Sequence, residues 1–404
     1  MVAGKDSNNL SKGSNNAYQR IYTALSGGIP DRVPVLPKIW VDLAASLTGT
    51  PLIEVVKNPL TALMTIARAG IEAGVDAIRQ FHFPERHVLE DDTGIYEIDK
   101  KGNKIGKVDI YGGLATHLFE PDDFILEDPY MMAYHQYWTS NRPFVGGLED
   151  VKRICVPGKY FYEEVGCGAR QRKIIEYAGD RISIIGDCGS ATLAFYRYLR
   201  GMDNAMLDLV DSPSLVHAVM EKGVAIAIEK GKFNIDLGIK ILRLNDSMAN
   251  MSVISPDHWR EFVFPHMKEV CSELHKYDPG VRVYCHICGN IVPVIEDIIE
   301  TGIDCIGPLD PLGGFTCAQI REYVGENIAL MGGINTLSFI NCTEEELKEE
   351  ARNCIREAGK KGAYVLGSGC VIPRYAKMGH LKAAVEAAKK YGTYSNGQLL
   401  EFSI

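Results

Sequence analysis

The chain has 404 residues, of which 46% are hydrophobic and 24% charged, with a formal net charge of -9. That balance suits a soluble globular protein, and a core of this size needs no disulfide support. No basic stripe stands out and no apolar run reaches the ~18–20 residues that cross a bilayer, so neither nucleic acid nor a membrane is an expected partner.

Residues 1–16 are polar and lack the apolar segment of a signal peptide. They are expected to form a disordered leader on a cytoplasmic protein, with one domain over residues 17–404. The 11 cysteines are odd in number and irregular in spacing. That pattern fits reduced thiols rather than a disulfide framework.

In chain order, eight apolar β-branched runs read as strands: Val33–Pro37, Val75–Gln80, Ile182–Gly186, Ile239–Leu244, Val281–His286, Asp304–Gly307, Ile328–Met331 and Ala363–Leu366. Nearly continuous hydrophobicity implies strands buried on both faces. Helix starts lie between them at Ser212-Pro213, Ser255-Pro256 and Thr343 followed by three glutamates. Eight strand–helix repeats predict an α/β fold of the (β/α)8 TIM barrel type. An open doubly wound sheet also accommodates eight strands, but neither GxGxxG nor GxxxxGKS/T follows the first run.

About 100 residues separate the second run from the third. There Gly94-Ile95-Tyr96-Glu97-Ile98 and Ile105-Gly106-Lys107-Val108-Asp109-Ile110 flank the turn Lys101-Gly102-Asn103, a hairpin signature. A β-hairpin-containing insertion over about 85–150 is therefore expected between strands 2 and 3. It would serve as a cap over the site or as part of a homodimer contact.

In such barrels the active site gathers residues just past the strand ends. Those positions hold Lys38, His82, Asp187, Cys188, Asn245, Asp246, His286, Cys288, Asp310, Gly332-Gly333-Ile334-Asn335 and Ser368-Gly369-Cys370. His286-Ile287-Cys288 is the sharpest pattern. Residues two apart on extended chain face one side, and an imidazole with a thiolate suits zinc. Cys370, in a glycine-flanked loop, is the best third ligand. Taken alone, a His-x-Cys pair arises by chance in a cysteine-rich chain. Asp246 and Asp187 are either catalytic carboxylates or helix caps, and His82 is similarly ambiguous. Lys38 and Arg374 either bind an anion or are solvated. Met248, Met251 and Trp40 line the mouth or belong to the core.

Several motifs occur together in order: Arg32-Val33-Pro34-Val35, Ile254-Ser255-Pro256-Asp257-His258-Trp259, His286-Ile287-Cys288-Gly289-Asn290, Met331-Gly332-Gly333-Ile334-Asn335-Thr336 and Gly367-Ser368-Gly369-Cys370-Val371-Ile372-Pro373. Over roughly residues 17 to 390 the chain resembles the uroporphyrinogen decarboxylase superfamily, and within it the zinc-dependent corrinoid methyltransferases. The resemblance implies a (β/α)8 barrel and zinc held by His286, Cys288 and Cys370, with Asp246 as the acidic residue after the fourth strand. It further implies a corrinoid brought by a partner protein, with Gly333, Asn335 and Met248 as its expected contacts. The methyl group would move between the cobalt and a small substrate, either a thiol such as coenzyme M or a methoxylated aromatic or other donor. A metal-free decarboxylase is the alternative. Decarboxylases carry an Arg-Gln-Ala-Gly-Arg segment after the first strand, where this chain reads Leu36-Pro37-Lys38-Ile39-Trp40.

Overall fold

The computed structural model describes residues 16–109, 114–120, 124–326 and 328–400, so the leader up to residue 15 lies outside the described residues. Asn16 caps the first helix, Ala17–Leu25, by accepting from the Gln19 N–H. A loop through Val33–Lys38 follows, then three helices ending with Pro59–Ala73. Strand β1 (Ala77–Gln80) leads into the insertion, which contains β2 (Val88–Asp91), β3 (Gly94–Ile98), β4 (Lys104–Asp109), β5 (Ala115–Leu118) and β6 (Trp138–Thr139). The strand–helix repeat then resumes with β7 (Ser183–Ser190), β8 (Ile241–Asn245), β9 (Arg282–His286), β10 (Cys305–Leu309), β11 (Ala329–Ile334) and β12 (Tyr364–Ser368). A small ribbon of β13 (Tyr394–Ser395) and β14 (Gln398–Leu399) ends the described chain.

The main sheet has seven strands in the order β1-β7-β8-β9-β10-β11-β12, and every pairing is parallel. Between its two edges runs Val33–Lys38. The Leu36 N–H donates to the Leu366 carbonyl, and the Asp76 N–H donates to the Val35 carbonyl. Pro34 and Pro37 have no N–H to add to a ladder, so this run makes isolated parallel bridges to Leu366 and Val371 instead of an assigned strand. The first expected strand is thus corrected to a bridging segment. Its anchor is buried Asp76, which accepts from Arg20 at 2.6 Å, from Arg32 at 2.8 Å and from the Val35 N–H at 2.8 Å.

One buried cluster gathers side chains from successive strands, among them Leu36, Ala77, Ile185, Ile241, Tyr284 and Met331. Ile21, Ala24 and Leu25 of the first helix join it. This is the inward layer of a barrel-like sheet with a helix packed against it. A larger apolar layer lies between the strands and the outer helices. The architecture is α/β and TIM-barrel-like.

Several strands run past the ends that the sequence pattern suggests, β7 and β11 furthest. Strand β7 continues through Asp187 to Ser190, with a register shift between Asp187 and Gly189. Strand β11 runs on through Gly332 and Gly333 to Ile334. Asp187 and Gly333 are therefore strand residues, not residues of the following loops. The insertion holds more than a hairpin. It is a five-stranded sheet in the order β2-β3-β4-β5-β6, pinned by buried Glu97, which accepts from Thr116 Oγ1 at 2.7 Å and Trp138 Nε1 at 3.2 Å. Ser212 precedes its helix without a side-chain cap bond, whereas Ser255 and Thr343 cap theirs.

Candidate metal centre and adjoining cavity

His286 ends β9, and Cys288 lies two residues beyond on the same side. The chain then turns at Gly289, whose φ of +91° is in the range glycine adopts without strain. Cys370 sits two residues past β12. The ligand atoms of His286, Cys288 and Cys370 lie within 4.8 Å of one another. This is the set the sequence pattern singled out, brought to one point at the C-terminal edge of the sheet.

The backbone of Lys38 fixes the Cys370 loop. Its N–H donates to Ser368 Oγ at 2.9 Å, and Ser368 Oγ donates to the Cys370 carbonyl at 2.6 Å. The Ile372 N–H returns to the Lys38 carbonyl at 3.2 Å. Asp310 braces the loops of both cysteines. It accepts from the Gly289 N–H at 3.2 Å, and a Cβ at Gly369 would lie 3.0 Å from its Oδ1.

The electrostatics favour a cation-binding donor set. Burial, reinforced by the charges of Lys38, Arg243 and Arg79, pushes His286 well below its ordinary pKa. The imidazole is therefore neutral, the form that ligates metals. Its Nδ1 is buried and has no hydrogen-bond partner, while Nε2 is 3.1 Å from Lys38 Nζ. Cys288 and Cys370 share a hydrogen bond that lowers the pKa of Cys370 and raises that of Cys288. Lys38 is buried rather than solvated. Burial, and then the charge of Arg243, bring its pKa down to about 7.

A cavity of about 330 Å³ adjoins this cluster and meets it at Lys38 and Val371. Trp40 and Phe81 form part of its wall, with ring centroids 4.1 Å apart at 70°. The insertion supplies Gln136 and Tyr137, and the helix Leu193–Arg200 supplies Tyr198. Arg243 and Asn245 come from β8. The volume lies within the range of small-molecule sites.

The remaining candidates occupy other places. Asp187 is buried and paired with Arg243 Nη1 at 2.6 Å. It does not line the cavity, but it holds a residue that does. Asp246 is fully buried and bonded to Thr192 Oγ1, and it accepts from the Ala194 N–H at 3.0 Å and the Met248 N–H at 3.2 Å. It thus caps Leu193–Arg200, a helix distant in sequence, and burial raises its pKa to about 6. His82 is a core residue against Cys167, Tyr162 and Phe233. Gly333 faces away from the metal cluster, since a Cβ there would lie 2.7 Å from Cys317 Sγ and 3.0 Å from Cys354 Sγ. Asn335 makes local bonds with Glu350 and the Leu337 N–H. Met248 and Met251 pack against the core, and Arg374 lies over the Tyr375 ring. Sequence reasoning missed the burial of Lys38, the bracing by Asp310, and the contributions of Arg243, Gln136, Tyr137 and Tyr198.

A barrel-like sheet with a His/Cys/Cys cluster at its C-terminal edge defines an enzyme-like architecture with a metal-competent mouth. The uroporphyrinogen decarboxylase (URO-D) family matches residues 139–391, more than half of the chain, and the chain belongs to that family. It is similar to the methylated-thiol–coenzyme M methyltransferase of Methanosarcina mazei, 26% identical over 194 residues that cover 48% of this chain and 49% of that protein. Similarity to the methylcobamide:CoM methyltransferase MtaA of Methanosarcina barkeri is 24% over 220 residues, covering 54% and 60%. The uroporphyrinogen decarboxylase of Chlorobium phaeovibrioides is 27% identical over 260 residues, covering 61% and 71%. The chain thus spans about half the length of the first of these relatives. A solved methyltransferase from Methanosarcina mazei shares the fold with a TM-score of 0.67 and 18% identity, covering 93% of this chain and 98% of the other. No helix among the described residues is long and apolar enough to cross a membrane.

Proposed function

We propose that this chain is a zinc-dependent corrinoid methyltransferase built on a closed (β/α)8 barrel, with the inserted sheet walling its mouth. The observation that carries the reading is the cluster of one neutral imidazole and two thiols within 4.8 Å, beside a cavity of about 330 Å³. One nitrogen and two sulfurs suit zinc, and three protein ligands are the number found in catalytic sites. His286, Cys288 and Cys370 would hold the ion. When bound, it supplies Lewis acidity that keeps a thiol as thiolate or polarises a methoxy oxygen.

The other residues bind and orient. Trp40, Phe81, Tyr137 and Tyr198 shed water from the substrate and stack on it. Asp187 fixes the Arg243 guanidinium at the cavity edge. Asp246, which we assign a positioning role, secures the helix that carries Tyr198. The methyl group passes between the small substrate and the cobalt of a corrinoid delivered by a carrier protein at the mouth.

The decarboxylase alternative has weaker support. A tetrapyrrole bearing many carboxylates requires several free cations, yet in this cavity Arg243 is already paired with Asp187 and Lys38 is depressed to about 7. Metal analysis of protein purified without chelator tests the reading. About one equivalent of zinc is expected, together with methyl transfer to cob(I)alamin or from methylcobalamin. Less than about half an equivalent, with tetrapyrrole decarboxylation in its place, would reverse the conclusion.

A further inference from the structure

Two cysteines from different helices meet against β11, apart from the metal cluster. Cys317 opens the helix Cys317–Val324, and Cys354 lies in the helix Glu344–Ala358. Both approach one point of the strand. A Cβ on Gly333 would lie 2.7 Å from Cys317 Sγ and 3.0 Å from Cys354 Sγ. A glycine in the strand, with φ of +108°, leaves the sulfurs room to meet there. Cys354 donates a hydrogen bond to Cys317. That bond holds the two sulfurs side by side, the first requirement of a disulfide.

A cavity of about 470 Å³ reaches both cysteines. Glu346, Glu349, Glu350 and Glu357 line it from the helix that carries Cys354, at the three- and four-residue spacing that shares one helix face. Among the described residues no lysine or arginine lines it. A cavity walled by one sign of charge concentrates small molecules of the other sign.

We infer that Cys317 and Cys354 form a reversible thiol–disulfide exchange site, reached through this cavity by small cationic disulfides in preference to anionic ones. Cys317, which accepts the hydrogen bond, attacks one sulfur of the small disulfide as a thiolate and releases one small thiol. Cys354 then loses its proton and attacks Cys317 Sγ, and the mixed bond breaks to release the second small thiol. One S–S bond and two S–H bonds are broken and the same numbers are formed. The protein pair is oxidised, the reagent is reduced, and both protons end on the released thiols. An added dithiol reverses the exchange. The inference stands apart from the methyl-transfer reading, since neither cysteine belongs to the metal cluster or lines its cavity.

The test exposes the full chain, loaded with zinc, to three disulfides of similar size: cystamine, hydroxyethyl disulfide and dithiodipropionate, which are cationic, neutral and anionic. Timed samples are alkylated and digested without reduction, and mass spectrometry reads the linked peptides. A Cys317–Cys354 link should form about tenfold or more faster with cystamine than with dithiodipropionate, with the neutral reagent between them, and dithiothreitol should remove it. Cys354→Ser should stop at a mixed disulfide on Cys317, and Cys317→Ser should slow modification of Cys354 by about tenfold. No Cys317–Cys354 link after a day in excess cystamine would overturn the site, and equal rates with all three reagents would overturn the role given to the glutamates. The unmutated chain decides both points even if a variant misfolds. Peptide mass separates this link from one between Cys288 and Cys370, so failure of the metal reading leaves the test intact.

Discussion

Two hydrogen-bonded cysteine pairs stand near the main sheet, Cys288 and Cys370 past the ends of β9 and β12 and Cys317 and Cys354 against Gly333 of β11, and their surroundings differ in kind. At the mouth, Cys288 and Cys370 share their hydrogen bond in a setting that includes neutral His286 and the Lys38 amine. Behind β11, Cys317 and Cys354 share another, beside Tyr364 Oη and the carboxylates of Glu350 and Glu357. The second pair borders a cavity of about 470 Å³ that Glu346 and Glu349 also line. Among the described residues, only the first pair joins a third donor within 4.8 Å. Two thiols become a metal site when a third ligand and a favourable field converge on them, and a thiol count reveals neither condition.

The largest expected effect separates the pairs directly. His286→Ala or Cys370→Ala should reduce bound zinc from about one equivalent to near zero and abolish methyl transfer, since each removes one of three ligands. Cys317→Ala and Cys354→Ala should keep the full zinc content. Elemental analysis of the four purified variants checks this. Loss of zinc from Cys354→Ala would make the two pairs one functional unit.

Next is the residue that stands against the second pair. At Gly333, with φ of +108°, an added Cβ would lie 2.7 Å from Cys317 Sγ and 3.0 Å from Cys354 Sγ. Gly333→Ala combines overpacking with backbone strain and should destabilise the fold by about 2–4 kcal/mol. Urea unfolding measures the loss. In a Cys317→Ala background the closest contact is gone, so the penalty should shrink while the backbone share remains.

The sequence made one side of this comparison legible and obscured the other, for physical reasons. His286 and Cys288 could be read because spacing two on extended chain fixes a common side. Cys370 could be read because a cysteine just after Gly367-Ser368-Gly369 at a strand end has a backbone free to bend. Gly333 was misplaced because β11 extends past Met331, and alternate residues of a strand face opposite sides. Lys38 reads as either an anion binder or a solvated side chain, and only the packed structure shows it buried against His286. Gln136 and Tyr137 reach the cavity from an insertion whose position no local period encodes. Asp246 was legible as a helix cap, but the helix it caps begins more than 50 residues earlier, a tertiary contact that spacing cannot reveal.

A smaller effect concerns reactivity. The hydrogen bond that Cys354 donates to Cys317, then burial and nearby glutamates, raise Cys354 well above an ordinary thiol. Alkylation requires thiolate, so its rate at Cys354 should climb about tenfold per pH unit through pH ~7–9 without levelling. An ordinary thiol levels off near pH ~8.5. Mass-spectrometric mapping after timed iodoacetamide treatment reads the profile, and a plateau below pH ~9 would show that the acidic surroundings do not hold the proton.

The smallest effect tests whether the second pair is coupled to the mouth through the helix that carries Cys354. Glu344–Ala358 begins with a capping box, in which Thr343 Oγ1 accepts from the Glu346 N–H while the Glu346 side chain accepts from the Thr343 N–H at 2.8 Å. Thr343→Ala removes one side of that exchange and should cost about 1 kcal/mol. The same helix presents Glu350 to the Asn335 N–H at 2.7 Å, and the Ile334 carbonyl accepts from the Gly369 N–H at 2.7 Å, one residue before Cys370. If the helix start frays locally, stability drops by the cap energy and zinc affinity is unchanged, because Glu350 lies beyond the first turn. If zinc affinity falls with stability, the Glu350–Asn335–Gly369 line transmits helix position to the metal ligand. Measuring both quantities on Thr343→Ala, with Glu350→Gln as the direct cut in that line, distinguishes a purely structural second pair from one that helps set the geometry of the first.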